Sequence, residues 1–302
     1  MPFTSDTSTP FAPVALSPAD TSNSSLKSLQ HDSPLTAGAG AAISGLPATS
    51  GLPATASLTS QAITVFKPLP LELHQHQLPC IHPRAVIFDL DGTLLDTAPD
   101  IIGACNATLE HYGFAPLSME LGLSKVTAGM RTLLRLGIPT EQQAQLDIDG
   151  EMRSYFAQYY LDHICEHTKP FTGMLELLDD LNQAGIKLAV VTNKYEDMTH
   201  KLLKNFAFYK DLQMILGCDS ITNSKPHPEP ILKTMEALKV EPYDTLYVGD
   251  HQNDIMAANR AKARSAVALW GYGPRECGDP KDWHAHYLLP DIAALRLLTL
   301  GK

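Results

Sequence analysis

Two carboxylates stand two positions apart in Phe88-Asp89-Leu90-Asp91-Gly92-Thr93-Leu94-Leu95-Asp96, just where an apolar run ends. A pair so placed can divide its labour. One carboxylate can attack phosphorus and form an acyl phosphate, while the other protonates the leaving oxygen and later activates water. Gly92 then lets the backbone turn sharply and approach a ligand closely. Two further acids, Asp250 and Asp254, follow a second apolar run in Tyr247-Val248-Gly249-Asp250-His251-Gln252-Asn253-Asp254. Four acids at one edge repel one another unless a cation joins them, and hard oxygen donors with room for water and a phosphate favour Mg²⁺. Asp89 and Asp250 are expected to bind it directly, and Asp254 directly or through water.

Val190-Val191-Thr192-Asn193-Lys194 ends another apolar run with a hydroxyl and a neutral amide, donors suited to phosphate oxygens. Taken alone, Thr and Asn at a strand end serve equally well to cap the next helix. Lys225 stands before Pro226-His227-Pro228-Glu229-Pro230, where the pre-proline position favours extended backbone and a stiff loop. An ammonium held beside Asp89 would relieve repulsion between an anionic nucleophile and an anionic phosphate. By itself, a solvated surface lysine accounts for it as well.

The elements that must position these residues follow from periodicity. Ala85-Val86-Ile87-Phe88, Leu188-Ala189-Val190-Val191, Met214-Ile215-Leu216, Thr245-Leu246-Tyr247-Val248 and Ala266-Val267-Ala268-Leu269 have the continuous apolar character of buried parallel strands. Met174, Leu177, Leu178 and Leu181 recur at helical spacing, and Gly185 stands where a left-handed helix end is wanted. Alternating strands and helices predict an α/β fold with a doubly wound, Rossmann-like parallel sheet, whose ligands bind beyond the carboxyl ends of the strands. From Pro99 to Lys169 there is no strand-like run, only helical candidates such as Ile101 to His111 and Glu151 to His163, the latter with an apolar stripe at Met152, Tyr155, Phe156 and Tyr159. A small all-helical cap inserted after the first strand is predicted over residues 99–169, with the catalytic core in 81–98 and 170–302.

The first 79 positions carry six charged residues and ten of the 22 prolines, and repeat Gly-Leu-Pro-Ala-Thr at positions 45 and 51. That composition predicts a disordered low-complexity tail over residues 1–80. His74, His76 and His82 near Cys80 read as part of a proline-containing connector. No secretory signal or spanning apolar segment is found, and five widely spaced cysteines fit reduced thiols, so a soluble cytoplasmic protein is expected. A formal net charge of −10 argues against nucleic acid or an anionic membrane as a partner.

These four segments, in their order along the chain (Asp89, Thr192, Lys225, Asp250), resemble the haloacid dehalogenase superfamily, over roughly Arg84 to Asp291. The resemblance implies that Asp89 is the nucleophile and Asp91 the general acid/base, with Lys225 as the lysine of the catalytic site. It implies phosphate binding by Thr192 and Asn193, and metal binding by Asp89, Asp250, Asp254 and the backbone carbonyl of Asp91. Gly92 and Thr93 are counted with the substrate-binding set. Because an alkoxide leaving phosphate needs a proton and a halide does not, Asp91 favours a phosphatase over a dehalogenase. Asp96-Thr97-Ala98-Pro99-Asp100, Val191-Thr192-Asn193-Lys194, the Lys225 segment and Gly271-Tyr272-Gly273 look like the phosphoglycolate phosphatase subgroup, in which a Gly-Arg-like cap loop meets the substrate; Gly129-Met130-Arg131 is the counterpart. The implied substrate is a small anionic phosphomonoester, 2-phosphoglycolate. The same local patterns, with Trp283 and Ala285 near the end, also resemble the N-acetylmuramic acid 6-phosphate phosphatases. The same motifs are compatible with a pyrophosphatase or sugar phosphomutase, and with a phosphate-binding module without catalysis. His251 departs from the family pattern, which has a small residue there, and its bulk is expected to bear on metal access or leaving-group contacts.

Overall fold

The computed structural model describes residues 80–302. The expected tail, apart from Cys80, and with it His74 and His76, lies outside the described residues.

Six strands form one parallel sheet: β1 (Ala85–Phe88), β4 (Lys187–Val191), β5 (Leu212–Leu216), β6 (Thr245–Gly249), β7 (Arg264–Ala268) and β8 (Tyr287–Leu289). Their order is β5-β4-β1-β6-β7-β8, and each neighbouring pair is parallel. The chain builds outward from β1 through β4 to β5, then returns to the other side of β1 for β6. That reversal opens a crevice at the carboxyl ends of β4, β1 and β6, the place where doubly wound sheets bind ligands.

Both faces of the sheet are covered, so its central strands are apolar on both sides. Val86, Phe88, Leu188, Val190, Leu246 and Val248 pack on one side with α6 (Met174–Gln183) and α11 (Ile292–Leu300). Ala85, Ile87, Ala189, Val191 and Tyr247 pack on the other with α8 (Glu229–Leu238) and α9 (Gln252–Arg260). The expected α6 stripe of Met174, Leu177, Leu178 and Leu181 is buried, and Gly185 takes the left-handed conformation just past its end, at φ 73°. α7 (Glu196–Leu203) follows β4.

Between β1 and β4 the chain leaves the sheet through a two-stranded antiparallel ribbon of β2 (Leu95–Asp96) and β3 (Lys169–Pro170). The intervening helices are α1 (Ala98–His111), α2 (Met119–Leu123), α3 (Met130–Gly137), α4 (Thr140–Gln143) and α5 (Arg153–Asp162), the last entered through a π-helical turn at Ile148–Met152. They enclose their own core, which includes Cys105, Leu109, Leu133, Leu134, Met152, Phe156 and Tyr160. The buried stripe of α5 therefore runs Met152, Phe156, Tyr160 at i, i+4, i+8. Tyr155 and Tyr159, expected in that stripe, are only partly buried and stack in a column with His111 and His163. Asp100 closes the insertion at its base: its carboxylate accepts the N–H groups of His167 and Thr168 at 2.8 and 2.9 Å. α10 (Gly273–Glu276) lies between β7 and β8.

Candidate active site

Asp89, Asp250 and the Thr192-Asn193-Lys194 segment leave the carboxyl ends of β1, β6 and β4, and Lys225 reaches the same edge from the loop after β5. The first turn after β1 is tight: Gly92, at φ 84°, donates its N–H to Leu95 O at 2.9 Å. A side chain at Gly92 would strike Asp250 and Tyr272, so only glycine fits both the conformation and the space.

The carboxylates of Asp89, Asp250 and Asp254 are buried and each offers an oxygen within 4.8 Å of the others. The Lys225 ammonium lies among them. It donates to Asp89 Oδ1 at 2.8 Å, Asp254 Oδ1 at 2.6 Å, Tyr247 Oη at 2.9 Å and Val191 O at 3.0 Å. Burial lowers the Lys225 pKa, but Asp254 and Asp89 outweigh burial and hold the ammonium above its ordinary value. One ammonium does not neutralise three carboxylates. Burial, then repulsion from Asp254, raises Asp89 to about 7; burial, then Asp89 and Asp254, raises Asp250 to about 8. Buried hard oxygens carrying excess negative charge fit a divalent cation.

Each acid is braced. Asp250 Oδ2 accepts the backbone N–H groups of Tyr272 and Gly273 at 2.7 and 2.9 Å, and Oδ1 accepts the Thr93 hydroxyl at 3.1 Å. Asp254 Oδ2 accepts the His251 N–H at 3.0 Å, and His251 Nδ1 accepts the Asn253 N–H at 3.0 Å, a reciprocal cap on α9. His251 also lines the cavity, and burial lowers its pKa, favouring the neutral ring.

Above the acids lies a cavity of about 380 Å³ whose walls come from both the sheet edge and the helical insertion. Asp89, Asp91, Thr192, Asn193, Lys225, Asp250 and Asp254 line it, as does Arg131 on the far side. Ile101, Val126, Met130, Phe156 and Met198 supply apolar wall. Asn193 donates from Nδ2 to Lys225 O at 3.0 Å, and Thr192 Oγ1 accepts the Lys194 N–H at 3.2 Å. Arg131 lies beside Asp149, Nε to Oδ1 3.3 Å, on an exposed wall of the insertion.

Gly92 and Thr93, expected among the substrate contacts, do not line the cavity. Thr93 is fully buried and commits its hydroxyl to Asp250, because the tight turn points it beneath the acids rather than toward a ligand. Three residues absent from the expected set belong to the site: Lys194, Tyr160 and Tyr272. Lys194 directly follows Thr192-Asn193, so its place at a strand end carried a signal. Tyr160 continues the α5 stripe four residues beyond Phe156. Tyr272 stood in the Gly-Tyr-Gly segment without an assigned task.

Comparison with known proteins agrees with this architecture. A family model described as haloacid dehalogenase-like hydrolase matches residues 86–268. Over 207 residues the chain is 38% identical to a phosphoglycolate phosphatase of Xylella fastidiosa, spanning 68% of this chain and 89% of that relative. It is 33% identical over 215 residues to an N-acetylmuramic acid 6-phosphate phosphatase of Pseudomonas putida, spanning 70% and 94%. A solved structure described as a predicted phosphoglycolate phosphatase from Haemophilus somnus matches with a TM-score of 0.64 at 27% identity, over 71% of this chain and 96% of that one. With its parallel sheet, its helical insertion after β1 and its acids at the strand ends, the chain belongs to the haloacid dehalogenase-like hydrolases.

Proposed function

We propose that this protein is a Mg²⁺-dependent phosphomonoesterase whose substrate is 2-phosphoglycolate, hydrolysed to glycolate and phosphate. The observation that carries the proposal is the buried cluster of Asp89, Asp250 and Asp254 with the Lys225 ammonium 2.8 Å from Asp89. A carboxylate oxygen of Asp89 attacks phosphorus, the bond from phosphorus to the ester oxygen breaks, and Asp91 gives that oxygen its proton. Asp91 then takes a proton from water as the water attacks the acyl phosphate, releasing phosphate and restoring the Asp89 carboxylate. Lys225 offsets charge at the nucleophile, and Thr192 and Asn193 are the donors for the phosphoryl oxygens. Asp89, Asp250, Asp254 and the Asp91 backbone carbonyl are the groups that would hold Mg²⁺, which when bound neutralises charge on the phosphoryl group. Residues 99–169 serve as a cap over the crevice, excluding bulk water from the acyl phosphate.

Arg131, on the cavity wall, supports a substrate that carries a carboxylate. Both phosphatases named among the relatives act on such compounds. A second reading, N-acetylmuramic acid 6-phosphate, draws support from the cavity, since about 380 Å³ with a largely apolar wall leaves room that a two-carbon acid does not fill. A cytoplasmic setting is supported by five free cysteines and by the absence, among the described residues, of a helix long and apolar enough to cross a membrane. The net charge of −10 supports a small-molecule partner over nucleic acid.

Steady-state hydrolysis of the two phosphoesters with Mg²⁺ tests the proposal. A higher kcat/KM for 2-phosphoglycolate, abolished in Asp89→Asn, is expected. A higher value for the sugar phosphate favours the second reading, and an undiminished Asp89→Asn variant refutes the nucleophile.

A further inference from the structure

Asp91 differs from the other acids of the site in its surroundings. Its carboxylate stands outside the buried cluster of Asp89, Asp250 and Asp254, on the cavity wall, with about a quarter of the side chain exposed. Its side-chain partner is Lys194, whose ammonium is 3.0 Å from each carboxylate oxygen. Lys194 is itself buried, with a side chain 8% exposed. Beyond the ammonium lies the ring of Tyr160, with its centre 4.8 Å away, within cation–π range. Lys194 belongs to the end of β4 and Tyr160 to α5, so this one side chain joins the sheet edge, the acid and the helical insertion. The Tyr160 hydroxyl is buried on the same cavity wall.

A carboxylic acid that delivers a proton must be held in one orientation toward the ester oxygen. An ammonium spanning both oxygens sets that orientation and resists free rotation of the group. We infer that Lys194, seated on the Tyr160 ring, is a positioning residue that holds the Asp91 carboxylate for proton delivery to the leaving oxygen. The inference rests on Asp91 being the acid/base. The proton passes from Asp91 to the ester oxygen as its bond to phosphorus breaks, and Lys194 keeps all of its protons. Coupling through Tyr160 makes the alignment depend on the insertion being packed over the crevice.

The test exploits leaving groups. An alkyl phosphate needs its departing oxygen protonated, whereas 4-nitrophenyl phosphate expels a stabilised anion. With Mg²⁺ and the full chain, Lys194→Met is expected to lower kcat/KM, which reports the steps up to release of the alcohol and not the shared hydrolysis of the acyl phosphate, roughly 10- to 100-fold on 2-phosphoglycolate and by less than about threefold on the aryl ester. Lys194→Arg is expected to recover part of the alkyl-ester rate. Both rates come from one preparation, so an unfolded fraction cancels in their ratio. Asp91→Asn, measured in parallel, must show the same selectivity. Should Asp91→Asn show it while neither Lys194 variant changes the ratio, the positioning role is overturned and the acid/base reading stands. If Asp91→Asn lowers kcat/KM for both esters alike, the acid reading itself falls, and the Lys194 inference with it.

Discussion

The backbone N–H of Tyr272 donates to Asp250 Oδ2 at 2.7 Å, while the phenol of the same residue donates to Asp96 Oδ1 at 2.5 Å and accepts the N–H of Ala98 at 3.0 Å. One residue thus ties the acid at the end of β6 to the strand through which the chain enters the helical insertion. Its neighbour Gly273 lies against Asp250 so closely that an added Cβ would meet the Asp250 carbonyl oxygen. Gly273→Ala must therefore displace the backbone donors from Asp250. Loss of such outer support is expected to weaken Mg²⁺ affinity by roughly 10- to 100-fold, read by calorimetric titration.

Lys225 is 3% exposed and serves two buried carboxylates. Lys225→Met leaves both without their counter-charge, a change that costs about 3–5 kcal/mol when a buried pair is broken. Urea unfolding of the chelated protein should show that loss at pH 8. It should shrink as the pH falls, because protonation of the carboxylates then removes the uncompensated charge.

Asp89 and Asp250 are raised from 3.8 to about 7 and about 8. Between those values and the unfolded pKa the native state holds more protons than the unfolded state, so stability is full below about pH 4 and is lost as pH rises through 7 and 8. In chelator, the thermal midpoint is expected to fall by several degrees from pH 6 to pH 8.5. Saturating Mg²⁺ should remove most of that fall, because the cation favours the ionised carboxylates. For the same reason the apparent Mg²⁺ affinity, measured by titration across this range, should increase with pH.

Asp149 is shared by three guanidinium side chains. Arg135 bonds it at 3.0 and 2.8 Å, Arg131 approaches to 3.3 Å, and Arg153 donates to its carbonyl oxygen at 3.1 Å. Arg131 and Arg153 face the cavity, so surplus positive charge lines its far wall. Arg131→Ala is expected to raise KM for 2-phosphoglycolate about 10-fold with little change in kcat, as loss of a charge-assisted hydrogen bond would. The KM for 4-nitrophenyl phosphate, which lacks a carboxylate, should hold steady in the same assay.

Much of the scaffold was legible because its signals are local. Four strands buried on both faces and the edge strand β5 read as apolar runs, and α6 announced itself through its spacing and Gly185. The three-residue β8 and the two-residue strands of the ribbon carry too few residues for any period to register. In the α5 stripe Met152 and Phe156 are buried as expected and Tyr160 joins them, whereas Tyr155 and Tyr159, which match an apolar pattern, stack with His111 and His163 at the edge of that core.

By itself the sequence determined which carboxylates stand at strand ends, since residue type, turn chemistry and hydrophobic period are properties of neighbours along the chain. Tertiary structure decided who touches them. Thr93 bonds Asp250 across 157 positions, Lys194 bonds Asp91 across 103, and Tyr272 bonds Asp96 across 176. No local rule selects such partners, because they are chosen by the order of strands in the sheet and by how the insertion packs above it. That is why Thr93 moved from the substrate to the support of Asp250, and why Lys194, visible at a strand end, gained a task only beside Asp91 and Tyr160.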